Sequence, residues 1–516
     1  MSQDQRIAFH LADGVDDWRV LYCGPVACFE TASLQDAAAF AVAIAGLDEL
    51  DGLDKLDRRD APPLIDVRPN GVTIRLTADV LDLEASGAAT AAARARAISD
   101  LARQRGLTPR PDRLQDTQVA IATVAPVGEV LPFWRAVLGY DDHTADDLVD
   151  PRGRGPTVWF QQLDPARSDS RGRTLRHAMH VDLAVPREQL RARLAEALAE
   201  HGRVVVDLGP RYQTFADPAG NKVDLVSWPD LPVHQDDAHR YDERDFDADG
   251  TPGSRSGTGT PATPAAGTRT TGRPLDPGAG AAEAPDTAGA ADTTRITFDE
   301  AAVEAAWMAF REASDLDDWP IVFSGPSTWF ATESLARSAE LAAHLAAVDG
   351  AERLDLDVRA GGLAVRLVRD LSGMDETHLD LARRLSAAAH EFGVEADPSR
   401  VQTMQIAIAS HPEDDVRPFW RELFRYRELG DEDLVSPHGR GPNLWFQSLA
   451  EGKALRHAFH LDVSVPLAIG QARVDAALAA GGRIADQRDG AWWTLADPVG
   501  NKVDIAVWAD RGGRID

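Results

Sequence analysis

The chain has 516 residues with a hydrophobic content of 44%, so it can build more than one hydrophobic core and we expect several domains. Its formal net charge of −29 argues against nonspecific nucleic-acid binding and against attraction to anionic membranes. The absence of a long apolar run or a secretory signal, and the presence of only Cys23 and Cys28, favour a cytoplasmic protein without a membrane span or disulfide framework.

The first unit, residues 1–108, alternates strand and helix patterns. Apolar runs around Trp18 to Phe29 and Val72 to Leu76 predict strands, and an Ala-rich stretch from Leu34 to Ala45 predicts a helix. A last helix is predicted from Ala88 to Arg105. The pattern repeats in residues 294–396, which indicates an old internal duplication.

The second unit, residues 112–230, reads as strand, helix, strands, then again strand, helix, strands. This order predicts two βαβββ modules in sequence, and residues 400–510 repeat it. Between the two copies, residues 231–293 are rich in Gly, Pro, Thr and Ala and offer few apolar anchors, which is typical of a disordered linker. We therefore expect two halves that fold independently.

A His and an Asp recur in each copy at matching positions. His180 lies in a predicted strand, and Asp224 follows an Asp-Pro-x-Gly-Asn turn whose Pro fixes φ and whose Gly accepts a positive φ. Their counterparts are His460 and Asp504. Asp182 and Asp462 follow their histidines by two residues, so each shares a strand face with its histidine and could orient the imidazole.

Two further features are candidate ligand contacts. The Gly-Arg-Gly-Pro loops place Arg154 and Arg440 where they could bind a phosphate or carboxylate, although a turn with a solvated arginine is the more common outcome and no P-loop helix follows. Trp159 and Trp445 lie on a strand whose alternate residues would face a concave surface. Either indole could stack on a flat ligand.

Residues 112–230 and 400–510 resemble the vicinal oxygen chelate superfamily, which includes glyoxalases, bleomycin-resistance proteins and dioxygenases. The resemblance is carried by Phe133-Trp134-x-x-Val137-Leu138-Gly139-Tyr140, by the His-Val-Asp-Leu strand, and by the Asp-Pro-x-Gly-Asn-x-x-acid ending. It implies a paired βαβββ barrel in each copy, with a divalent metal held by one side chain from each of four strands. The implied sets are Gln118, Gln161, His180 and Asp224 in the first copy, and Gln405, Gln447, His460 and Asp504 in the second.

The N-terminal units more faintly resemble pterin-4a-carbinolamine dehydratase, on Trp18, Phe29, Pro63 and the Val72 to Thr77 strand. That family's catalytic histidines align with Ala61, Pro62 and Asp79 here, and the second copy lacks them as well. No general base remains at those positions, so dehydratase activity is not expected although the fold could persist.

The sequence thus predicts an α+β protein of two glyoxalase-like barrels, each preceded by a degenerate dehydratase-like domain. We expect it to bind or convert a small organic molecule, with a divalent metal, by lyase, isomerase or dioxygenase chemistry that the residues leave open. The alternatives are metal-free binding or sequestration, residual pterin dehydration, and a scaffold whose N-terminal units serve self-association. No nucleic-acid or membrane partner is expected.

Overall fold

The computed structural model describes residues 3–50, 61–83, 87–163, 179–207, 212–227, 299–369, 373–411, 414–448, 459–488 and 491–508. The predicted linker, 231–293, lies outside these ranges. The described helices are α1 (Gln3–Leu11), α2 (Leu34–Ala45), α3 (Ala88–Gln104), α4 (Val127–Leu138), α5 (Arg187–Ala199), α6 (Glu300–Glu312), α7 (Leu335–Ala346), α8 (Thr377–Phe392), α9 (Arg417–Phe424) and α10 (Leu467–Ala479). None of them is long and apolar enough to cross a membrane.

The strands of the first half are β1 (Arg19–Leu21), β2 (Gly24–Glu30), β3 (Leu64–Arg68), β4 (Gly71–Arg75), β5 (Thr108–Pro109), β6 (Asp116–Thr123), β7 (Asp141–Asp142), β8 (Asp147–Val149), β9 (Thr157–Gln162), β10 (Met179–Ala184), β11 (Arg203–Asp207), β12 (Tyr212–Ala216) and β13 (Lys222–Val226). Those of the second half are β14 (Ile321–Val322), β15 (Gly325–Ala331), β16 (Asp355–Arg359), β17 (Gly362–Arg366), β18 (Thr403–Ser410), β19 (Arg427–Leu429), β20 (Asp433–Val435), β21 (Asn443–Ser448), β22 (Phe459–Pro466), β23 (Arg483–Arg488), β24 (Trp492–Ala496) and β25 (Lys502–Trp508). The fold is therefore α+β, as predicted.

The N-terminal units of the two halves share one sheet. Its order is β1-β2-β4-β3-β16-β17-β15-β14, with β5 beside β2, and β3 pairs antiparallel with β16 at the junction. Helices α2 and α7 lie together on this sheet, and each begins at a serine (Ser33, Ser334) whose hydroxyl accepts a hydrogen bond from the backbone N–H three residues on. One apolar core runs continuously through both units.

The barrels are also built from both halves. One eight-stranded sheet has the order β11-β12-β13-β10-β18-β21-β20-β19, and the other has the order β23-β24-β25-β22-β6-β9-β8-β7. The second module of the first copy thus pairs with the first module of the second copy, through β10 and β18. Its first module pairs with the last module of the chain, through β6 and β22.

These pairings correct two expectations. The halves are not separate structural units, because three sheets pass from one to the other and the described residues of both form one compact unit, so we no longer expect either half to fold alone. Nor do residues 112–230, or 400–510, pair into a barrel of their own. The cause is that strand alternation specifies which face of a strand is buried but leaves open which strand edge it hydrogen-bonds.

Candidate functional site

The alternation of strand β10 separates core residues from polar ones. Val181 and Leu183 point into the apolar core beneath the helices, whereas His180 and Asp182 lie on the opposite, concave face. Strand β13 runs parallel to β10 and places Asp224 directly beside Asp182. Two carboxylates opposite each other on neighbouring strands repel, so this arrangement needs a compensating positive charge.

The Asp-Pro-x-Gly-Asn turn fixes the entry into β13. Asp217 accepts hydrogen bonds from the Asn221 backbone N–H at 2.9 Å and from Trp134 Nε1 at 2.9 Å, so the turn is held to helix α4. Gly220 has φ +95°, a value that favours glycine. Asp497 makes the corresponding bond to Trp420 Nε1 at 3.1 Å before β25. These motif residues serve the structure, and they position the aspartates that follow.

The His180 site consists of His180, Asp182 and Asp224, whose ligand atoms lie within 4.8 Å of one another. His180 Nε2 is 3.1 Å from Asp182 Oδ1 and 3.2 Å from Asp224 Oδ2. Gln405, on β18 of the other half, donates from Nε2 to Asp182 Oδ2 at 3.0 Å. The site is therefore composite, and the glutamine beside it comes from the second half of the chain.

The imidazole offsets part of the negative charge at the His180 site. Burial would lower the pKa of His180, but the charges of Asp182 and Asp224 raise it to about 10. At neutral pH His180 is therefore an imidazolium between two carboxylates. Any metal ion entering this site has to displace that proton.

The His460 site consists of His460, Asp462 and Asp504, again with ligand atoms within 4.8 Å. His460 Nε2 lies 3.4 Å from Asp462 Oδ1. Trp159, from the first half, donates from its indole Nε1 to Asp462 Oδ2 at 2.5 Å, and its ring meets the His460 ring edge-on at 5.9 Å. This second composite site has an aromatic wall where the first has a glutamine.

The carboxylates of the His460 site are less well compensated. Burial and the charge of Asp504 raise the pKa of Asp462 well above its usual value, although the bond from Trp159 opposes this. Burial also raises the pKa of Asp504, against a hydrogen bond from Thr494. Within the described part of the chain, Asp462 Oδ1 and Asp504 Oδ1 are buried without a hydrogen-bond partner. A bound cation would supply what these two oxygens lack.

The N-terminal unit of the first half reaches the His460 site. Burial raises the pKa of Tyr22, and the charges of Asp462 and Asp504 add to this shift. The Tyr22 ring packs edge-on against Trp508 at 5.8 Å. Gln118 faces Asp462 in the strand register, but its Nε2 donates to Asp79 Oδ2 at 3.4 Å. Sequence reasoning did not connect Tyr22 or Asp79 with this site, because only the fold brings the unit against the barrel.

The two sites differ at matched positions. Phe323 stands in the second half where Tyr22 stands in the first, and it packs in a small apolar cluster with Ala184. Gln405 bonds Asp182, whereas its counterpart Gln118 turns away from Asp462. The first aspartate is thus bonded by an amide in the His180 site and by an indole in the His460 site.

The predicted metal sets are corrected in their grouping. Gln118 and Gln161 lie on the sheet that carries the His460 site, since β6 pairs with β22 and β9 pairs with β6. Gln405 and Gln447 lie on the sheet of the His180 site. The prediction that Gln118 and Gln161 join His180 and Asp224, and that Gln405 and Gln447 join His460 and Asp504, is therefore wrong, for the strand-edge reason given above. The histidine and the aspartate of each set do lie together, and their role as metal ligands stays a prediction.

Of the predicted tryptophan and arginine ligand contacts, only Trp159 is found in one of the two sites. Trp159 lies in the His460 site, whereas Trp445 donates from Nε1 to Glu432 at 3.3 Å. Arg154 and Arg440 are not solvated turn residues: their side chains are only 9% and 15% exposed, in ion pairs with Asp357 and Asp66 of the shared N-terminal sheet. They belong to a separate buried cluster.

The third ligand atom of each site comes from Asp182 and Asp462, which the resemblance did not include. A local signal for them exists, because a His-x-Asp spacing on a strand places both side chains on one face. Their role as ligand candidates follows from the measured proximity to Asp224 and Asp504.

A family model described as a glyoxalase-like domain matches residues 118–226 and 405–506. No curated protein matches the chain. A glyoxalase I mutant from Zea mays is among the similar solved structures, with 8% identity over 77% of this chain and 94% of that chain, at a TM-score of 0.30. The chain therefore contains two segments in tandem, residues 118–226 and 405–506, that match the glyoxalase-like domain family.

Proposed function

We propose that the composite sites bind a small organic molecule together with a divalent cation. The observation that carries the proposal is the recurrence, on both barrel sheets, of one histidine and two aspartates with ligand atoms within 4.8 Å. One imidazole nitrogen and two carboxylate oxygens suit several divalent ions. The three residues would occupy one side of the ion and leave the other side to the ligand and to water.

The His460 site is the better candidate for the metal. Its two aspartates lie side by side on β22 and β25, and the buried oxygens Asp462 Oδ1 and Asp504 Oδ1 accept no hydrogen bond among the described residues. In the His180 site the imidazolium lies within 3.2 Å of both carboxylates and offsets part of their charge. A cation therefore relieves more repulsion at His460, where it would take the place of the proton that the raised pKa of Asp462 favours.

The organic ligand would lie on the concave face beside the cation. Trp159 offers a half-buried indole there, held at its edge by Asp462, and Gln161 follows on the same strand face. A divalent cation bound at this place would polarise an oxygen of the ligand and lower the pKa of a bound water. This chain's own residues would hold the ligand flat against Trp159 and supply a hydrogen-bonding amide.

Calorimetric titration of chelator-treated protein with Mn²⁺ or Zn²⁺ tests the metal. We expect one tighter event, abolished by His460→Ala and weakened at least about tenfold by Asp504→Asn, which keeps the shape and removes the charge. Asp224→Asn, the matched change in the His180 site, should leave that event intact. Binding that persists in both His460→Ala and Asp504→Asn would refute the assignment.

The same titration addresses the metal-free alternative. If no ion binds to the wild-type protein but a flat aromatic compound quenches tryptophan fluorescence, and Trp159→Leu removes the quenching, the sites serve binding or sequestration alone. If the ion binds and the quenching requires it, the metal-dependent proposal stands. The class of reaction then follows from screening candidate substrates with the loaded protein.

For the N-terminal units we propose an assembly role, not pterin dehydration. Supporting this, Ala61, Pro62 and Asp79 occupy the positions of the catalytic histidines in the dehydratases that these units resemble, and β3 and β16 join the units in one sheet. An assay of carbinolamine dehydration should show no activity above background. Activity near that of a true dehydratase would overturn this role.

A further inference from the structure

A polar cavity of about 70 Å³ lies where the shared N-terminal sheet meets the Gly-Arg-Gly-Pro loops of both halves. Six arginines and three aspartates line it, an excess of three positive charges inside a strongly acidic protein: Arg68, Arg75, Arg154, Arg359, Arg366 and Arg440, with Asp66, Asp150 and Asp357. None of these residues belongs to the two His–Asp–Asp sites. The cavity is therefore a separate, positively charged feature.

The centre of this cluster is a pair of facing carboxylates. Asp66 on β3 lies opposite Asp357 on β16 in the strand register, and both are almost fully buried. Arg68 Nη2 donates to Asp357 Oδ1 at 2.6 Å, and Arg359 Nη2 donates to Asp66 Oδ1 at 2.6 Å. These reciprocal bonds compensate the repulsion between the aspartates and join the two halves.

The loop arginines repeat the same exchange. Arg154 Nε donates to Asp357 Oδ2 at 3.2 Å, and Arg440 Nη1 donates to Asp66 Oδ2 at 3.0 Å. Each loop thus reaches the aspartate of the other half. Up to this point the two loops are equivalent.

The two loop arginines differ in their second partner. Arg440 Nη2 also donates to Asp116 Oδ1 at 3.2 Å, at the start of β6. The matching position at the start of β18 is Thr403, a neutral residue that lines the cavity and whose hydroxyl lies 3.0 Å from Ser324 Oγ. Arg154 therefore lacks this second carboxylate, and its Nη1 is buried without a hydrogen-bond partner among the residues that the structure describes.

From this asymmetry we propose that the cavity binds a small inorganic oxyanion of the size of phosphate, held by Arg154 in the place that a carboxylate at position 403 would fill. A buried guanidinium N–H without an acceptor is costly, and the surplus of arginines excludes a cation. The cavity volume is several times the ~10–15 Å³ that one water needs, but well below the ~300 Å³ of a site for a larger organic ligand.

The charge state of Arg154 fits this occupant. Burial lowers the pKa of Arg154 to about 10, with Asp357 opposing and Arg366 adding to the shift. Arg154 remains protonated at neutral pH, but its charge is poorly compensated. An oxyanion would restore the balance that Asp116 gives to Arg440.

Calorimetric titration with inorganic phosphate and with sulfate, at ionic strength held constant with chloride, tests the site. We expect one saturable event per chain with phosphate or sulfate. Thr403→Asp restores the missing carboxylate and should abolish it, whereas Thr403→Asn, which has the same shape without the charge, should retain it. Arg154→Gln should weaken binding at least about tenfold.

A phosphate monoester separates the free anion from the phosphoryl group of a larger ligand. Glycerol phosphate needs room beyond the cavity, so weaker binding than that of phosphate assigns the site to a free anion, and equal binding assigns it to a phosphoryl group. No saturable binding to the wild-type protein at about 10 mM overturns the proposal. Equal loss in Thr403→Asn and Thr403→Asp also overturns it, and if Thr403→Asp does not fold, unchanged binding in Arg154→Gln decides against it.

Discussion

Gln405 donates a hydrogen bond from Nε2 to Asp182 Oδ2 over 3.0 Å, although the two residues come from different halves of the chain. Trp159 and Asp462 make the reverse connection at 2.5 Å. Each half supplies one complete His–Asp–Asp set, but the side chain that hydrogen-bonds to its first aspartate, Gln405 or Trp159, comes from the other half.

This interleaving predicts how the chain responds to cutting. A protease site inserted within residues 231–293 should allow cleavage, and the two fragments should still elute together under native conditions, because three sheets and two apolar cores cross between them. Size-exclusion chromatography of the cut and uncut protein measures this. Fragments that separate without denaturant would contradict the shared sheets.

The exchange between Arg68 and Asp357 predicts a large energetic effect. Arg68→Met leaves Asp357 buried with less compensation, so the free energy of unfolding should fall by about 3–5 kcal/mol. Arg103→Met removes an exposed ion pair to Asp100 on helix α3 and serves as the control, with a loss of at most ~1 kcal/mol. Urea unfolding measures both values, and similar losses would show that the buried pair has no special role.

His180 predicts a stability change in alkaline solution. Its pKa is raised in the folded protein to about 10, against an ordinary value of 6.5, so the folded state binds the extra proton between these values. The stabilisation is complete below pH 6.5 and is lost as the pH rises to 10. His180→Gln should remove this slope from the unfolding free energy, whereas His390→Gln, at an exposed position, should keep it. An unchanged slope in His180→Gln would mean that another group titrates.

Asp79 should make the protein less stable as the pH rises through a lower range, near neutrality. Burial raises the pKa of Asp79 to about 7, with neighbouring carboxylates adding to the shift and the Leu81 backbone N–H opposing it. The folded state therefore prefers the protonated form, and stability falls as the pH rises from about 4 to 7. Asp79→Asn should flatten this part of the profile and increase stability at pH 8, by at most about 4 kcal/mol. Exposed Asp100→Asn is the control. A less stable Asp79→Asn protein at pH 8 would show that folding does not penalise the ionised form, and that the pKa of Asp79 is not raised.

The sequence by itself determined what depends on neighbouring residues along the chain. The period-two alternation places His180 and Asp182 on one strand face, and the Asp-Pro-x-Gly-Asn motif sets the turn before Asp224, so the histidine–aspartate part of each site followed from local pattern. The duplication and the α+β order were equally local. These features need no knowledge of what the strand lies beside.

Only the tertiary structure decided which modules are partners. The free edge of β6 is chemically equivalent whether β10 or β22 pairs with it, because backbone hydrogen bonds carry no sequence label, so Gln118 could not be assigned to a site in advance. The burial of Arg154 could not be predicted from the sequence either, because it depends on a contact with a distant part of the chain. A loop arginine is solvated or buried according to whether an aspartate from a distant strand meets it, and Asp357 lies in the other half of the chain.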